Sequence, residues 1–146
     1  MARVSVILST FDQPHALAFA LTGYRRQSYR DFELVVADDG SDGETREVVQ
    51  EFRRAGDFPV QHVWQENRGF RKAKIVNEAV KISEGGLLVF SDGDCIPHKD
   101  FVRVHAGRCG PGGFCTGGYV RLSSEVSAAL TREARASTAL SASSGR

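Results

Sequence analysis

Residues 87–101 read LLVFSDGDCIPHKDF, and this stretch decides how the rest of the chain is interpreted. Four apolar residues predict a buried strand, which leads through Ser91 to two carboxylates, Asp92 and Asp94, on either side of Gly93. Two acids this close repel each other, which raises their pKa values unless a cation compensates them. The pattern is that of an ordinary Asp–Gly turn, but at the end of a buried strand it also indicates a site for Mn²⁺ or Mg²⁺.

Outward from this stretch, apolar runs alternate with amphipathic segments along the chain. Strands are predicted at Val4–Leu8, Phe32–Ala37, Val60–Trp64 and Leu87–Phe90, with helices from Pro14, from Ser41, and from Gly69 to about Ser83. The strands are near-continuous apolar runs, which is typical of parallel strands covered on both faces. We therefore predict an α/β fold with a Rossmann-like, mostly parallel sheet, helices on both faces and right-handed crossovers.

Two of these helices carry more detailed predictions. Ser41 and Glu44 have the spacing of a capping box, so the second helix is expected to begin at Ser41. The third helix is expected to bury the apolar side chains Ala73, Val76, Ala79 and Val80. After Pro97 we predict a short helix at 99–106, a glycine-rich loop at 107–118, a strand at 119–122 and a helix at 123–136.

Three polar clusters follow the predicted strands, at 9–12, 38–41 and 92–94. The carboxyl ends of parallel strands lie at one edge of a sheet, which is where such sheets bind ligands. Asp38 and Asp39 are more acids than a helix cap needs, and a carboxylate there can accept the imide N–H of a uracil. The clusters therefore predict one polar binding site.

Basic side chains gather where the third helix is expected to begin, at Arg68, Arg71, Lys72 and Lys74. Cations at a helix N-terminus oppose the helix dipole, so this placement is unfavourable unless an anion binds there. The alternative interpretation is a solvated charged face.

Composition excludes several classes of protein. The 146 residues have a formal net charge of +1, so no overall field favours nucleic acid as a partner. The three cysteines form no CxxC pair, which suits a reducing cytosol and predicts a cytoplasmic location. A zinc site from His98, His105, Cys109 and Cys115 matches no common spacing. No apolar run approaches the length of a membrane span, and the start of the chain reads as a strand rather than a signal peptide.

Four motifs together resemble those of the inverting family 2 glycosyltransferases, which have the GT-A fold. They are VSVILSTFDQP, FELVVADDGSDGET, QENRGFRKAKIVNEA and the DxD segment LLVFSDGDCIPHKDF. The QENRGF form is most similar to the branch that contains chondroitin-type polymerases and galactosyltransferase-like domains of polysaccharide biosynthesis. The resemblance implies a nucleotide-sugar donor, most simply a UDP-sugar, with Mn²⁺ or Mg²⁺ as cofactor and a hydroxyl of a glycan or other acceptor as the second substrate.

The resemblance also implies roles for individual residues. Ser9, Thr10 and Phe11 match the segment that packs on the base, and Asp39, with Asp38 beside it, matches the acid that reads uracil. The segment that lines the nucleotide or its phosphates is matched by Arg71, Lys74 and Asn77. Asp92 matches the first DxD acid, followed by Gly93, and Asp94 matches the metal ligand.

The second half of the chain departs from the family pattern. Residues 1–106 match the donor-binding half, and residues 107–146 match only a glycine-rich loop and the start of an acceptor half. The later acids Glu125 and Glu133 lie in no recognisable motif, so the resemblance identifies no catalytic base. We expect a C-terminally truncated domain, with a partner chain or self-association covering its exposed side.

Three alternatives remain open on sequence alone. A binding module of the same fold would hold the donor without transferring the sugar. A haloacid-dehalogenase-like phosphatase also has a strand ending in DxD, but it needs a later acidic pair, which does not follow Asp94, and it would give Asp38 and Asp39 no role. A dinucleotide-binding enzyme would need GxGxxG after the first strand, where the chain has STFDQP.

Overall fold

The structure is a computed structural model that describes residues 3–143, with side chains described for residues 3–133. The elements in chain order are β1 (Val4–Thr10), α1 (Pro14–Arg25), β2 (Phe32–Asp38), α2 (Gly43–Ala55), β3 (Val60–Trp64), α3 (Lys72–Ile82), β4 (Leu87–Asp92), α4 (Phe101–Arg108) and α5 (Ser124–Ser143). The predicted alternation of strands and helices is confirmed.

The sheet is wholly parallel and has the strand order β3-β2-β1-β4. Central β1 pairs with both neighbours, so that Ser9 lies opposite Ala37 on one side and opposite Asp92 on the other. Three strands continue beyond their predicted ends because their polar last residues are still paired, as Thr10 is with Asp38. The three polar clusters therefore meet at one edge of the sheet.

Helices cover both faces because alternate strand residues point into two separate cores. Val4, Val6 and Leu8 of β1 enter the larger core, whereas Ile7 enters the smaller one. The larger core receives side chains from α1, α2 and α4, among them Leu17, Leu21, Val49 and Val102. The smaller core receives Ile75 and Ala79 from α3. The predicted doubly covered sheet is confirmed.

The N-terminus of α2 differs from the capping-box prediction. Asp42 is the N-cap, and its carboxylate accepts a hydrogen bond from Glu44 N at 3.2 Å. Ser41 cannot serve as the cap because its hydroxyl accepts the backbone N–H of Asp12 at 2.9 Å. The side chain predicted to start a helix instead joins the β1–α1 loop to the β2–α2 loop.

Helix α3 begins at Lys72 rather than at Gly69, whose φ of 83° lies in the left-handed region. Ala73 is exposed, contrary to the prediction, and Ile75 is buried in its place. Val76 and Val80 are half-buried and pack against the smaller core as expected.

The chain divides into two compact units, one ending at Thr116 and the other beginning at Gly117. In the first unit α4 confirms the short helix predicted after Pro97, and Phe90 of the edge strand β4 is 58% exposed. In the second unit α5 is the predicted helix, but residues 119–122 are exposed and form no strand. The assignment of donor and acceptor halves, and of a partner covering the exposed side, stays a prediction.

Among residues 3–143, none of the helices combines the length and apolar character that crossing a membrane requires.

Candidate functional site

A pocket of about 350 Å³ opens at the carboxyl ends of β1 and β4. Its lining residues are Ser9, Thr10, Phe11, Gln13, Ala37, Asp39, Asn67, Gly69, Phe70, Lys72, Asp92, Gly93 and Asp94. Seven of the predicted site residues are among them: Ser9, Thr10, Phe11, Asp39, Asp92, Gly93 and Asp94. The pocket therefore joins the ends of two neighbouring strands with the loop that precedes α3.

The end of β1 forms the floor of the pocket. Ser9 donates a hydrogen bond from its hydroxyl to Asp92 Oδ1 at 2.7 Å, and its carbonyl accepts the N–H of Gly93 at 2.7 Å. A Cβ at position 93 would lie 3.0 Å from that carbonyl oxygen, which is a tight contact and favours glycine there. Phe11 also lines the pocket and is 46% exposed, so its aromatic ring is accessible to a ligand.

Asp38 lies outside the pocket, although the sequence placed it in the nucleotide site. It is fully buried, and its carboxylate lies 2.9 Å from His62 Nε2 and accepts the Ser41 N–H at 2.8 Å. Burial acts to raise its pKa, but the hydrogen bonds from His62 and Ser41 outweigh burial and hold the pKa below its usual value. Asp38 therefore fixes the local structure, and only its neighbour reaches the pocket.

Asp39 lines the pocket and also holds the loop that leads into α3. Its Oδ1 accepts a hydrogen bond from Gln65 Nε2, and its Oδ2 accepts the backbone N–H of Arg71 at 2.8 Å. The loop passes so close to Gly40 that a Cβ there would lie 2.6 Å from the Asn67 Cα. Gly40 also has a φ of 99°, so both the close approach of the loop and the left-handed backbone conformation require glycine at this position.

The basic residues of this segment have different places. Lys72 lines the pocket, whereas Arg71 turns its guanidinium to the Glu66 carbonyl at 2.7 Å. Lys74 and Asn77 are exposed on α3 and do not line the pocket. The structure thus leaves three predicted nucleotide-binding side chains outside the lining. The guanidinium of Arg71 is bound to the Glu66 carbonyl, and Lys74 and Asn77 lie on the exposed side of α3.

Asp92 is paired with Lys72 across the pocket. The ammonium of Lys72 contacts Asp92 Oδ1, the same oxygen that accepts the Ser9 hydroxyl. Lys72 first, and then Ser9, lower the pKa of the Asp92 carboxyl. The raised pKa expected from two neighbouring acids is wrong for Asp92, because a cation of the chain compensates it.

Sequence reasoning missed several side chains of the site. Lys72 belonged to the recognised basic cluster, but its neighbours Arg71 and Lys74 were preferred. Asn67 and Phe70 flank Gly69, and the glycine's need for a left-handed turn is the signal that could have identified the loop as part of the pocket. Gln13 and Gln65 gave no comparable signal.

The residues present fit a hard divalent cation that brings further ligands with it. Asp92 and Asp94 supply carboxylate oxygens, which Mg²⁺ and Mn²⁺ prefer. Among residues 3–133, no group of three or more His, Cys, Asp or Glu side chains forms a complete metal site. Thr10 lines the pocket, and its buried Oγ1 has no hydrogen-bond partner in the described part of the chain.

Comparison with curated proteins identifies relatives over most of this chain. Validoxylamine A glucosyltransferase of Streptomyces hygroscopicus subsp. jinggangensis is 32% identical over 111 residues, which is 74% of this chain and 26% of that protein. Glycosyltransferase AglE of Haloferax volcanii is 31% identical over 101 residues, 68% of this chain and 33% of that protein. The chain therefore spans about a quarter to a third of the length of these relatives.

Solved structures of glycosyltransferases share the fold of this chain. Staphylococcus aureus TarS 1-349 in complex with UDP-GlcNAc matches 72% of this chain, and 30% of its own, with a TM-score of 0.66 and 26% identity. The mannosyltransferase PcManGT from Pyrobaculum calidifontis, in complex with GDP-Man and Mn²⁺, matches 67% of this chain, and 29% of its own, with a TM-score of 0.61 and 27% identity.

The sequence profile described as Glycosyl transferase family 2 matches residues 5–126, which include every residue of the pocket. The chain belongs to glycosyltransferase family 2.

Proposed function

We propose that this chain carries the donor site of an inverting, metal-dependent glycosyltransferase that takes a UDP-sugar. The acceptor is a hydroxyl group of a glycan or another molecule, and the QENRGF segment favours the branch that contains chondroitin-type polymerases. One observation carries the proposal: the pocket brings an aromatic ring, Phe11, and a buried acid, Asp39, to one site with the acids of the DxD segment.

The base of the donor is assigned to the end of the pocket near Phe11 and Asp39. Phe11 offers a ring on which a base can stack. Asp39 has each oxygen in one protein hydrogen bond, and a carboxylate oxygen has room to accept a second. We assign that position to the imide N–H of uracil.

The diphosphate of the donor is assigned to the part of the pocket that Asp92 and Asp94 line. Asp92 and Asp94 would hold Mn²⁺ or Mg²⁺, and the bound cation supplies electrostatic stabilisation of the leaving diphosphate. Ser9 orients Asp92, and Lys72 contributes positive charge at the same place. An inverting mechanism also requires a base that deprotonates the acceptor hydroxyl. We assign this role to none of the residues named above.

The proposal is tested by calorimetric titration of UDP into the purified chain, first with Mn²⁺ and then with EDTA. We expect saturable binding that EDTA weakens by more than tenfold and that Asp94→Asn reduces similarly, because both remove a ligand–metal contact. Glu51→Gln, which removes one carboxylate from the exposed surface of α2, is the matched control and should bind like the parent.

The same titration with GDP tests the choice of base, since solved relatives hold either UDP-GlcNAc or GDP-Man. Weaker binding of GDP supports the uracil assignment, and equal binding contradicts it. If a folded chain binds UDP under neither metal condition, the donor-site proposal is wrong. Binding without sugar transfer or hydrolysis would instead favour the non-catalytic binding module.

A further inference from the structure

The pocket contains its own cation at the position where a metal is expected. Among the described residues that line it, Lys72 is the one cation, against the three acids Asp39, Asp92 and Asp94. Its ammonium contacts Asp92 Oδ1. A divalent cation that binds Asp92 must therefore compete with a charge that is already in place.

Lys72 can leave Asp92 without any change in the backbone. The backbone before it is fixed, because the N–H of Arg71 donates to Asp39 Oδ2 at 2.8 Å. Its side chain is 43% exposed and that of Asp92 is 54% exposed, so solvent reaches both partners. Ion pairs this exposed are weak and exchange readily.

Asp92 keeps its orientation when the ammonium leaves. The hydroxyl of Ser9 donates to the same Oδ1 at 2.7 Å, from a residue of the buried central strand. The carboxylate is thus held by the sheet, and the flexible lysine is the exchangeable partner.

We propose that Lys72 is an exchangeable counter-ion: it compensates Asp92 in the free protein and moves to the diphosphate when a divalent cation takes Asp92. This inference rests on the proposed donor site and adds an order of events to it. Positive charge is present in the pocket before and after the metal arrives, and in the loaded state the lysine has the diphosphate as its anionic partner.

The exchange predicts opposite effects on two ligands when the ammonium is removed. In Lys72→Met, Mn²⁺ alone should bind about two- to fivefold more tightly, because it no longer competes with the lysine. UDP with saturating Mn²⁺ should bind about tenfold more weakly, because the diphosphate loses a charge-assisted contact. A merely structural role for Lys72 would weaken both.

The experiment measures free Mn²⁺ by electron paramagnetic resonance during a titration of the protein, and UDP affinity by calorimetry. Lys81→Met is the matched control, since it removes the same charge from the last turn of α3, where Lys81 pairs with Glu78. Lys72→Arg keeps the charge and should behave like the parent toward Mn²⁺. Lys72→Gln, with circular dichroism on every variant, guards against a folding defect in the methionine variant.

The outcomes separate this inference from the donor site itself. Unchanged or weaker Mn²⁺ binding by both Lys72→Met and Lys72→Gln overturns the exchange, even if the parent binds UDP with metal. Tighter Mn²⁺ binding together with weaker UDP binding by these variants supports the exchange. If the parent takes no UDP, tighter Mn²⁺ binding supports only the competition between Lys72 and the metal at Asp92, and the move to the diphosphate fails with the donor-site proposal. Absence of Mn²⁺ binding in parent and variants overturns the exchange as well.

Discussion

Glu33 and Asp92 are carboxylates at opposite ends of the parallel strands, Glu33 at the amino end and Asp92 at the carboxyl end. Of these two, Asp92 is the one open to a ligand. Glu33, near the start of β2, is 1% exposed and accepts hydrogen bonds from Ser5 Oγ at 2.6 Å, Gln61 Nε2 at 3.1 Å and Glu84 N at 2.6 Å. Asp92, at the end of β4, is more than half exposed and holds only Ser9 and Lys72 at Oδ1. A carboxylate fully surrounded by protein donors stabilises the fold, whereas one with exposed oxygens can serve a ligand.

Removal of the buried carboxylate of Glu33 should give the largest loss of stability. Glu33→Ala leaves two buried or half-buried side-chain groups and the N–H of Glu84 without their acceptor, so it should lower the free energy of unfolding by roughly 3 kcal/mol. Urea denaturation followed by circular dichroism measures this change.

The same substitution at the exposed acid, Asp92, tests the difference between the two carboxylates. Asp92→Ala should lower the free energy of unfolding by less than about 1 kcal/mol, because an exposed ion pair contributes little. An equal loss of stability in the two variants would show that the two ends of the strands do not differ as described.

A change in ligand affinity, rather than in stability, is expected within the pocket itself. Phe11→Ala should weaken UDP binding about tenfold, since stacking of a base on an aromatic ring contributes at that level, and should leave stability nearly unchanged. Calorimetry with UDP and with inorganic pyrophosphate, both with Mn²⁺, distinguishes contacts to the base from contacts to the diphosphate, because pyrophosphate has no base. Equal weakening of both ligands would contradict the assignment of Phe11 to the base.

The smallest effect concerns pH. Burial acts to raise the pKa of Glu33, but the hydrogen bonds from Ser5, Glu84 and Gln61, with the charge of Arg3, hold the pKa below its usual value. The unfolded chain then binds more protons at acidic pH, so Glu33 contributes stability that is fully present above its unfolded pKa of about 4.3 and is lost as pH falls through its folded pKa.

Glu33→Gln should therefore flatten the acid limb of a plot of unfolding free energy against pH. Asp92→Asn should flatten it less, because the lowered pKa of Asp92 arises from partners that are half exposed to solvent. Urea denaturation from pH 3 to pH 7 measures both, and an unaltered acid limb in Glu33→Gln would refute the role given to this acid.

Sequence predicted the sheet and its polar edge because strand ends can be read locally. The apolar runs end within two residues of the strand ends at Thr10, Asp38 and Asp92, and parallel pairing brings these ends together. The path of residues 65–71 depends instead on contacts that are distant in sequence. The turn at Gly69 and the bond from Arg71 N to Asp39 set where α3 starts, and hence which basic side chain reaches the pocket.

The same reasoning explains the misplaced cap of α2. Ser41 and Asp42 are both good N-cap residues, and local sequence cannot choose between them. Asp12 decides between them. Its backbone N–H donates a hydrogen bond to the Ser41 hydroxyl, and its carboxylate accepts the Asp42 N–H at 3.0 Å. Asp12, which makes both contacts, has a positive φ of 44°.

The strand order has a consequence for the kinetics of folding. β1 pairs with β2 through Ser5 and Glu33, 28 positions apart, but its pairing with β4 joins Ser9 to Asp92, which are 83 positions apart. Closing the longer loop costs more chain entropy, and such non-local parallel pairing is slow. The acid that would bind the cation thus joins the sheet through its most distant pairing, so a ligand held there would favour the completely folded chain by mass action.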